Sequence, residues 1–158
     1  MDTMEHEVWV EFAGRLEWVL ERLGEDCFLA VVVKGSNRFV QFAGQGAHGM
    51  RVEATGNAFL DDVEKLEVAE IMRMLTLGWE SPTGSPTQAT PMEDPSGSPN
   101  FYVDFEAPVP CGVVAELAVR TLREVFGAAS PIFLTHAAMN EHGEPCVVEE
   151  LKLAVESE

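Results

Sequence analysis

The chain has 158 residues, of which 46% are hydrophobic, and its 10 Lys and Arg against 27 Asp and Glu give a formal net charge of −17 at pH 7. This size and apolar content predict one folded domain over residues 1–158 and exclude a disordered chain. The charge excludes general binding to nucleic acid and to anionic membranes, because phosphate groups repel an acidic surface.

Three features predict a cytoplasmic protein. No apolar run approaches the ~20 residues of a transmembrane helix. The first seven residues are acidic and lack the basic and apolar regions of a secretory signal. The cysteines Cys27, Cys111 and Cys146 are widely spaced in apolar surroundings, which favours buried thiols in a reducing compartment over a disulfide framework.

The first half of the chain predicts a helix and an antiparallel meander. A helical stripe, flanked by Trp9 and Leu20 and ending at Gly24, is formed by Val8, Phe12, Leu16, Val19 and Leu23. The continuous apolar run at residues 27–34 is typical of a central strand buried on both faces. Two further strands, at residues 38–45 and 48–55, follow across Gly-containing turns.

The second half predicts a helix, a strand and another helix. Asp61 and Asp62 are expected N-caps, with a capping box from Asp61 to Glu64, before a helix that stops at Gly78. The apolar face of that helix is predicted to consist of Leu66, Ala69, Met72 and Leu75.

A Pro/Ser/Thr-rich loop is expected at residues 81–99, because five prolines there exclude a helix or a central strand. A strand follows at residues 100–106, and a helix runs from Pro110 to Gly127 with Val114, Leu117, Ala118, Thr121, Leu122 and Val125 on its buried face.

Residues 131–158 are expected to form an acidic C-terminal extension. Ile132–Leu134 is a possible edge strand, and residues 146–155 fit either a strand or a short helix. The fold class is therefore α+β, with an antiparallel sheet of about four to five strands, helices packed on it, and the order α-β-β-β-α-β-α before the extension.

No residue pattern indicates an enzyme, a cofactor or a metal site. His136, His142 and Cys146 match no common zinc spacing, and a polar turn explains them equally well. Cys111 is the better placed of the cysteines for a nucleophile, because a helix N-terminus can lower a thiol pKa, although buried free cysteines are common. Gly44-Gln45-Gly46 fits a turn and is too short for a dinucleotide-binding motif.

An ordered set of short motifs between Trp9 and Pro131 resembles the bacterial TY-Chap domains, relatives of type III secretion chaperones and of YbjN-type proteins. The motifs are Phe39-Val40-Gln41-Phe42, Asn57-Ala58-Phe59-Leu60, Leu77-Gly78-Trp79 with Pro82, Asn100-Phe101 and Val125-Phe126-Gly127. The resemblance implies a non-enzymatic chaperone that binds a peptide or a protein, and its secretion-chaperone relatives are typically small, acidic and dimeric. The long loop and the acidic extension depart from the family pattern.

The first hypothesis is a cytoplasmic chaperone or adaptor that offers a sheet edge or an apolar groove to a client, forms a homodimer, and favours basic clients. The alternative is an acidic immunity or inhibitor protein that binds a basic toxin. A third is a small enzyme using Cys111 or the His136/His142 region. The aromatic residues expected to include partner contacts are Trp18, Phe39, Phe42, Trp79, Phe101 and Tyr102.

Overall fold

The computed structural model describes residues 3–24, 27–82, 99–140, 142–144 and 151–155. Its helices and strands, in chain order, are α1 (Thr3–Glu21), β1 (Cys27–Val33), β2 (Phe39–Gly44), β3 (Met50–Ala54), α2 (Val68–Leu77), β4 (Phe101–Phe105), α3 (Cys111–Arg120), β5 (Leu134–Asn140) and β6 (Ala154–Val155). None of the helices in this part of the chain has both the length and the apolar content needed to cross a membrane.

The strands form one sheet in the order β4-β3-β2-β1-β5-β6. Five of them are antiparallel neighbours, and only the two-residue β6 runs parallel to its partner β5. The predicted α+β class and the succession of helices and strands through α3 are confirmed.

One face of this sheet packs against the helices and forms the core. Inward side chains of the strands, among them Leu29, Val40 and Val52, join apolar side chains of α1, α2 and α3 in one buried cluster. Side chains alternate between the two faces of a strand, so the neighbouring residues in each strand lie on the other face.

Helix α1 packs through a stripe close to the predicted one, but shifted around the helix. Trp9 and Leu20, expected on the flank, are buried, whereas Val8 is exposed. The helix ends at Glu21 rather than at Gly24, because 3₁₀-type bonds tighten the chain after it: the Arg22 N–H donates to the Val19 carbonyl at 3.0 Å.

Helix α2 begins later than predicted, and the proposed cap at Asp61 or Asp62 is wrong. The side-chain amide of Asn57 bonds both the N–H and the C=O of Leu66, at 2.7 and 3.2 Å, which keeps Leu66 out of the helical ladder. The capping box is instead formed by Glu67 and Glu70, and the helix ends at Gly78 with φ +116°.

The predicted apolar face of α2 is also wrong in part. Met74 is its buried residue and Ile71 and Leu77 pack beside it, while Met72 and Leu75 are exposed. The apolar arc of the helix is wider than the part that the core covers, so periodicity alone could not tell which of its residues are buried.

Helix α3 continues into a π-helical turn at Thr121–Val125, a feature with no sequence signature. The Phe126 N–H donates to the Thr121 carbonyl at 3.0 Å, which is the five-residue spacing of a π-turn. The Thr121 hydroxyl accepts a hydrogen bond from the indole N–H of Trp79 at 2.9 Å and donates to the Leu117 carbonyl. These bonds fasten the turn to the chain segment that follows α2.

Two expectations about the outer strands need correction. Ile132 and Phe133 lie in a 3₁₀ turn (Pro131–Phe133) before β5, and β5 lies between β1 and β6 instead of at an edge.

Cys27 is disulfide-bonded, so the expectation of a thiol there is wrong, whereas Cys111 is free. Most of the predicted 81–99 loop and half of the 146–155 segment lie outside the described residues.

Candidate functional site

The face of the sheet that points away from the helices carries a row of apolar side chains that belong to no core. Its members are Phe28, Ala30 and Val32 of β1, Phe39 and Ala43 of β2, and Ala137 and Met139 of β5. We call this whole side of the sheet, with the apolar row and the polar residues beside it on β3 and β4, the open face. All seven are half-buried or exposed, and none is part of the buried cluster. The prediction that β1 is buried on both faces is therefore wrong.

The centre of the open face is shallow because its side chains are small. Ala30 lies opposite Ala137 on β5, and Phe28 lies opposite Ala43 on β2. Beside them stand larger side chains: Phe28 is 36% exposed and its cross-strand neighbour Met139 is 45% exposed. The small alanine side chains, next to the larger pair Phe28 and Met139 at one end of the row, leave room for side chains of a bound segment.

At the other end, Val32 and Phe39 form the second apolar pair and border a depression of about 530 Å³. Phe59, which is 51% exposed in a 3₁₀ turn, lines the same depression together with Asn37 and Gln41. The Thr55 hydroxyl fixes this end, because it accepts a hydrogen bond from the Phe39 N–H at 2.6 Å.

The β3–β4 side of the same face is polar. The Arg51 guanidinium makes two parallel bonds to the Asp104 carboxylate, from Nε at 2.8 Å and from Nη2 at 2.9 Å. The same guanidinium lies 4.8 Å from the centre of the Tyr102 ring. This paired group borders the apolar row and contributes no net charge to the face.

The six aromatic residues predicted to include partner contacts divide into buried and accessible groups. Phe42, Trp79 and Phe101 lie in the core with at most 3% of their surface exposed. Phe39 and Tyr102 lie on the open face. Trp18 is 42% exposed on the solvent side of α1, where the Arg22 guanidinium stacks 3.7 Å from the centre of its ring.

Sequence reasoning did not single out Phe28, Met139 or the three alanines of the open face. Within a continuous apolar run such as Cys27–Val33, hydrophobicity carries no information about which face is covered. The one usable signal was the single small residue of this run, Ala30, which the two-residue period of a strand places on the face opposite Leu29 and Val31.

The geometry gives little support to the cysteine nucleophile and the metal site that were considered from the sequence. Burial raises the pKa of the Cys111 thiol, and the carboxylates of Glu21 and Glu17 raise it further, which is the opposite of an activated nucleophile. Within the described ranges, no three His, Cys, Asp or Glu side chains are grouped so that they could hold a metal ion. His136 is buried in β5, and His142 lies in an exposed turn.

A helix-backed antiparallel sheet with an apolar open face defines an α+β domain suited to binding another chain. The family that matches is TY-Chap3, described as T3SS (YopN, CesT) and YbjN peptide-binding chaperone 3, and the match covers residues 2–140. The chain belongs to this family, which confirms the resemblance, and a peptide-binding, chaperone-like role is what the family indicates. Comparison with curated proteins and with solved structures gave no significant match.

Proposed function

We propose that this protein is a non-enzymatic chaperone or adaptor that binds an extended segment of a client protein on the open face. The observation that supports it most directly is the apolar row from Phe28 and Met139 to Val32 and Phe39, which lies outside the buried core cluster. Apolar rows of this kind on otherwise polar surfaces are typical of interaction sites.

Binding across the face is favoured over strand addition at a sheet edge. At one edge, Tyr102 of β4 already exchanges two backbone hydrogen bonds with Glu80, at 2.9 and 3.2 Å. At the other edge, β6 is only two residues long. Short or occupied edge strands offer few backbone groups to an incoming strand, whereas the open face offers apolar contacts over three strands.

The client segment is proposed to alternate apolar with basic residues. Alternation places every second side chain of an extended segment against the face. Basic residues on the other side suit a chain of net charge −17, because opposite charge raises the rate of association.

The test is fluorescence polarisation with three labelled synthetic peptides: one that alternates leucine with lysine, one with serine in place of leucine, and one with glutamate in place of lysine. The first peptide should bind best. The double variant Phe28→Ser/Met139→Ser should weaken it at least about tenfold, since a fully buried apolar side chain contributes about 1.5–3 kcal/mol.

The matched control is Val63→Ser, because Val63 is apolar and 94% exposed but lies far from β1 and β5 in sequence and outside the open face. Binding that is unchanged in the double variant, or weakened equally in the control, would reject the open face as the site. Equal binding of the leucine and serine peptides would reject apolar recognition.

The acidic surface also supports an alternative, an immunity or inhibitor protein that binds one folded basic toxin. Such a complex would depend on charge and not on an extended client. A partner purified from the native host that binds only in its folded state, and binds equally well to the open-face double variant, would favour this alternative over the chaperone.

A homodimer is proposed to form through α2. Val68, Met72 and Leu75, spaced i, i+4 and i+7, form an exposed apolar stripe on this helix, and Met72 is 62% exposed. Sedimentation or light scattering should show a dimer that Met72→Glu converts to a monomer. A wild-type monomer at high concentration would contradict the proposal.

A cytoplasmic location is proposed from the family, whose description groups the chain with type III secretion and YbjN peptide-binding chaperones. The disulfide at Cys27 points the other way, since disulfides are rare in the cytosol. Fractionation of the native host decides between the two: recovery outside the cytoplasm would refute the proposal and agree with the disulfide.

A further inference from the structure

The apolar row on the open face is uneven in height along the strands. Phe28 of β1 and Met139 of β5 lie opposite each other at one end, and both are exposed. Two residues further along the face come Ala30 and Ala137, which also lie opposite each other and are half-buried. Each strand therefore carries a large side chain and then an alanine, so the two alanines form the floor of a shallow depression.

Larger side chains follow again on the far side of this depression. Two residues beyond Ala30, Val32 lies opposite Phe39 of β2 on the same face. The outward residues of β1 are thus Phe28, Ala30 and Val32, with the smallest in the middle. These three positions span about 13 Å, since a strand rises about 3.3 Å per residue. The depression is therefore bounded at both ends in the direction of the strands.

An extended client segment matches this pattern when it runs along the strands. Its side chains on one face repeat every two residues, at about 6.6 Å, which is the spacing of the outward residues of β1. Neighbouring strands lie only about 4.8 Å apart, so a segment that crossed the strands would lose this match. Three alternate side chains of an aligned segment face Phe28, Ala30 and Val32 in turn.

The alanines decide which client side chain fits in the middle. Two layers of strands packed face to face lie about 10 Å apart, and side chains of both layers fill that space. Opposite Phe28 and Val32 the protein itself fills much of it, so a small client side chain suffices. Opposite Ala30 the client must supply a large side chain, because otherwise a void remains and its contacts are lost.

We propose that Ala30 and Ala137 select, among the clients proposed above for the open face, extended segments whose three inward side chains are small, large and small. The large side chain is apolar and enters the depression. Basic residues occupy the intervening positions, where they suit a chain of net charge −17. This selection rests on the proposed function and narrows the client from any alternating segment to one with a single large apolar anchor.

The test is fluorescence polarisation with two labelled seven-residue peptides in which lysine alternates with three apolar residues. One peptide carries alanine, leucine and alanine, and the other carries leucine, alanine and leucine. The first should bind the wild type about threefold more tightly although it has fewer apolar atoms, because the second is overpacked at both ends and leaves the depression empty.

Ala30→Leu fills the depression from the protein side and should reverse this preference. It should weaken the alanine–leucine–alanine peptide at least about tenfold, the effect of excluding one buried leucine side chain, without weakening the other peptide. Ala137→Leu should do the same from β5. A misfolded variant would lose both peptides, so opposite responses of the two peptides indicate a change of specificity.

Ala69→Leu is the matched control, because Ala69 is exposed on α2, on the helix side of the sheet. The same enlargement of a side chain at this position should leave both affinities unchanged.

Two results would overturn the proposal. One is equal binding of the two peptides to the wild type. The other is an Ala30→Leu variant that keeps the wild-type preference, or that weakens both peptides while its urea unfolding is unchanged. If the leucine–lysine peptide still depended on Phe28 and Met139, the client function would stand without this selection. Failure of all three peptides to bind would instead reject the proposed function, and the selection with it.

Discussion

Phe39 and Phe42 offer a direct test of the two faces of the sheet, because they lie three residues apart in the same strand and point in opposite directions. Phe42 has 0% of its surface exposed and lies between Leu29 of β1 and Val52 of β3. Phe39 is half-buried on the open face opposite Val32. Truncating each residue to alanine should therefore affect different properties.

Phe42→Ala should lower the free energy of unfolding by about 3–5 kcal/mol, the range for deleting a fully buried phenylalanine. For a domain of this size that corresponds to a fall in Tm of about 6–20 °C, at about 2–4 °C per kcal/mol. Phe39→Ala should cost about 1 kcal/mol or less, because the lost ring is half solvated and its deletion leaves no closed cavity.

Binding of the leucine–lysine peptide should show the reverse order. At a temperature where both variants are folded, Phe39→Ala should weaken binding several-fold, and Phe42→Ala should leave it near the wild-type value. Urea unfolding followed by circular dichroism and tryptophan fluorescence measures the stability, and fluorescence polarisation measures the binding. A Phe39→Ala variant as unstable as Phe42→Ala would refute the assignment of faces.

Three further outcomes are expected. Cys111 should react slowly with iodoacetamide at neutral pH, and Glu17→Gln should speed the reaction by lowering the thiol pKa; a fast wild-type reaction would contradict this. Gly49→Ala should destabilise by more than about 4 kcal/mol and Gly78→Ala by about 1–2 kcal/mol, because both have positive φ but only at Gly49 would a Cβ collide with a backbone oxygen, that of Phe105; equal urea midpoints would refute the contact. Thiol titration of the denatured chain should find fewer thiols before reduction than the three present after it, given the disulfide at Cys27, and three at the outset would exclude that bond.

The parts of the fold that could be predicted from sequence are those in which local rules act without competition. Gly78 could end α2 because little but glycine adopts its φ of +116°. The alternation in Phe39–Gly44 matches its burial, with Val40 and Phe42 inward. The pairing of Arg15 with Glu11 follows from their spacing of four residues on α1 and is observed at 2.8 Å.

The parts that could not be predicted depend on contacts between segments distant in sequence. The start of α2 is set by Asn57, whose side chain binds Leu66 nine residues later. The position of β5 inside the sheet depends on its pairing with β1. The candidate site shares this origin, since Phe28 and Met139 come from β1 and β5.

The acidic surface and the open face are best understood together. An exposed apolar row favours self-association, and a large net charge opposes it through mutual repulsion. Ion pairs such as Arg51 with Asp104 and Lys65 with Asp62 cancel locally, so the repulsion at long range comes from the acidic residues in excess. A basic client removes the repulsion where it binds, whereas a second copy of the chain increases it.

The two proposed associations must therefore respond to salt with opposite signs. Screening weakens attraction between the acidic chain and a basic client, so its association rate should fall as ionic strength rises from about 0.05 to 0.5 M, with little change in the dissociation rate. The same screening weakens repulsion between two copies, so the homodimer should tighten. If rising salt weakened both client binding and the homodimer, an apolar contact of α2 between two acidic chains would be refuted. The homodimer proposal would then be rejected, and the client proposal would stand.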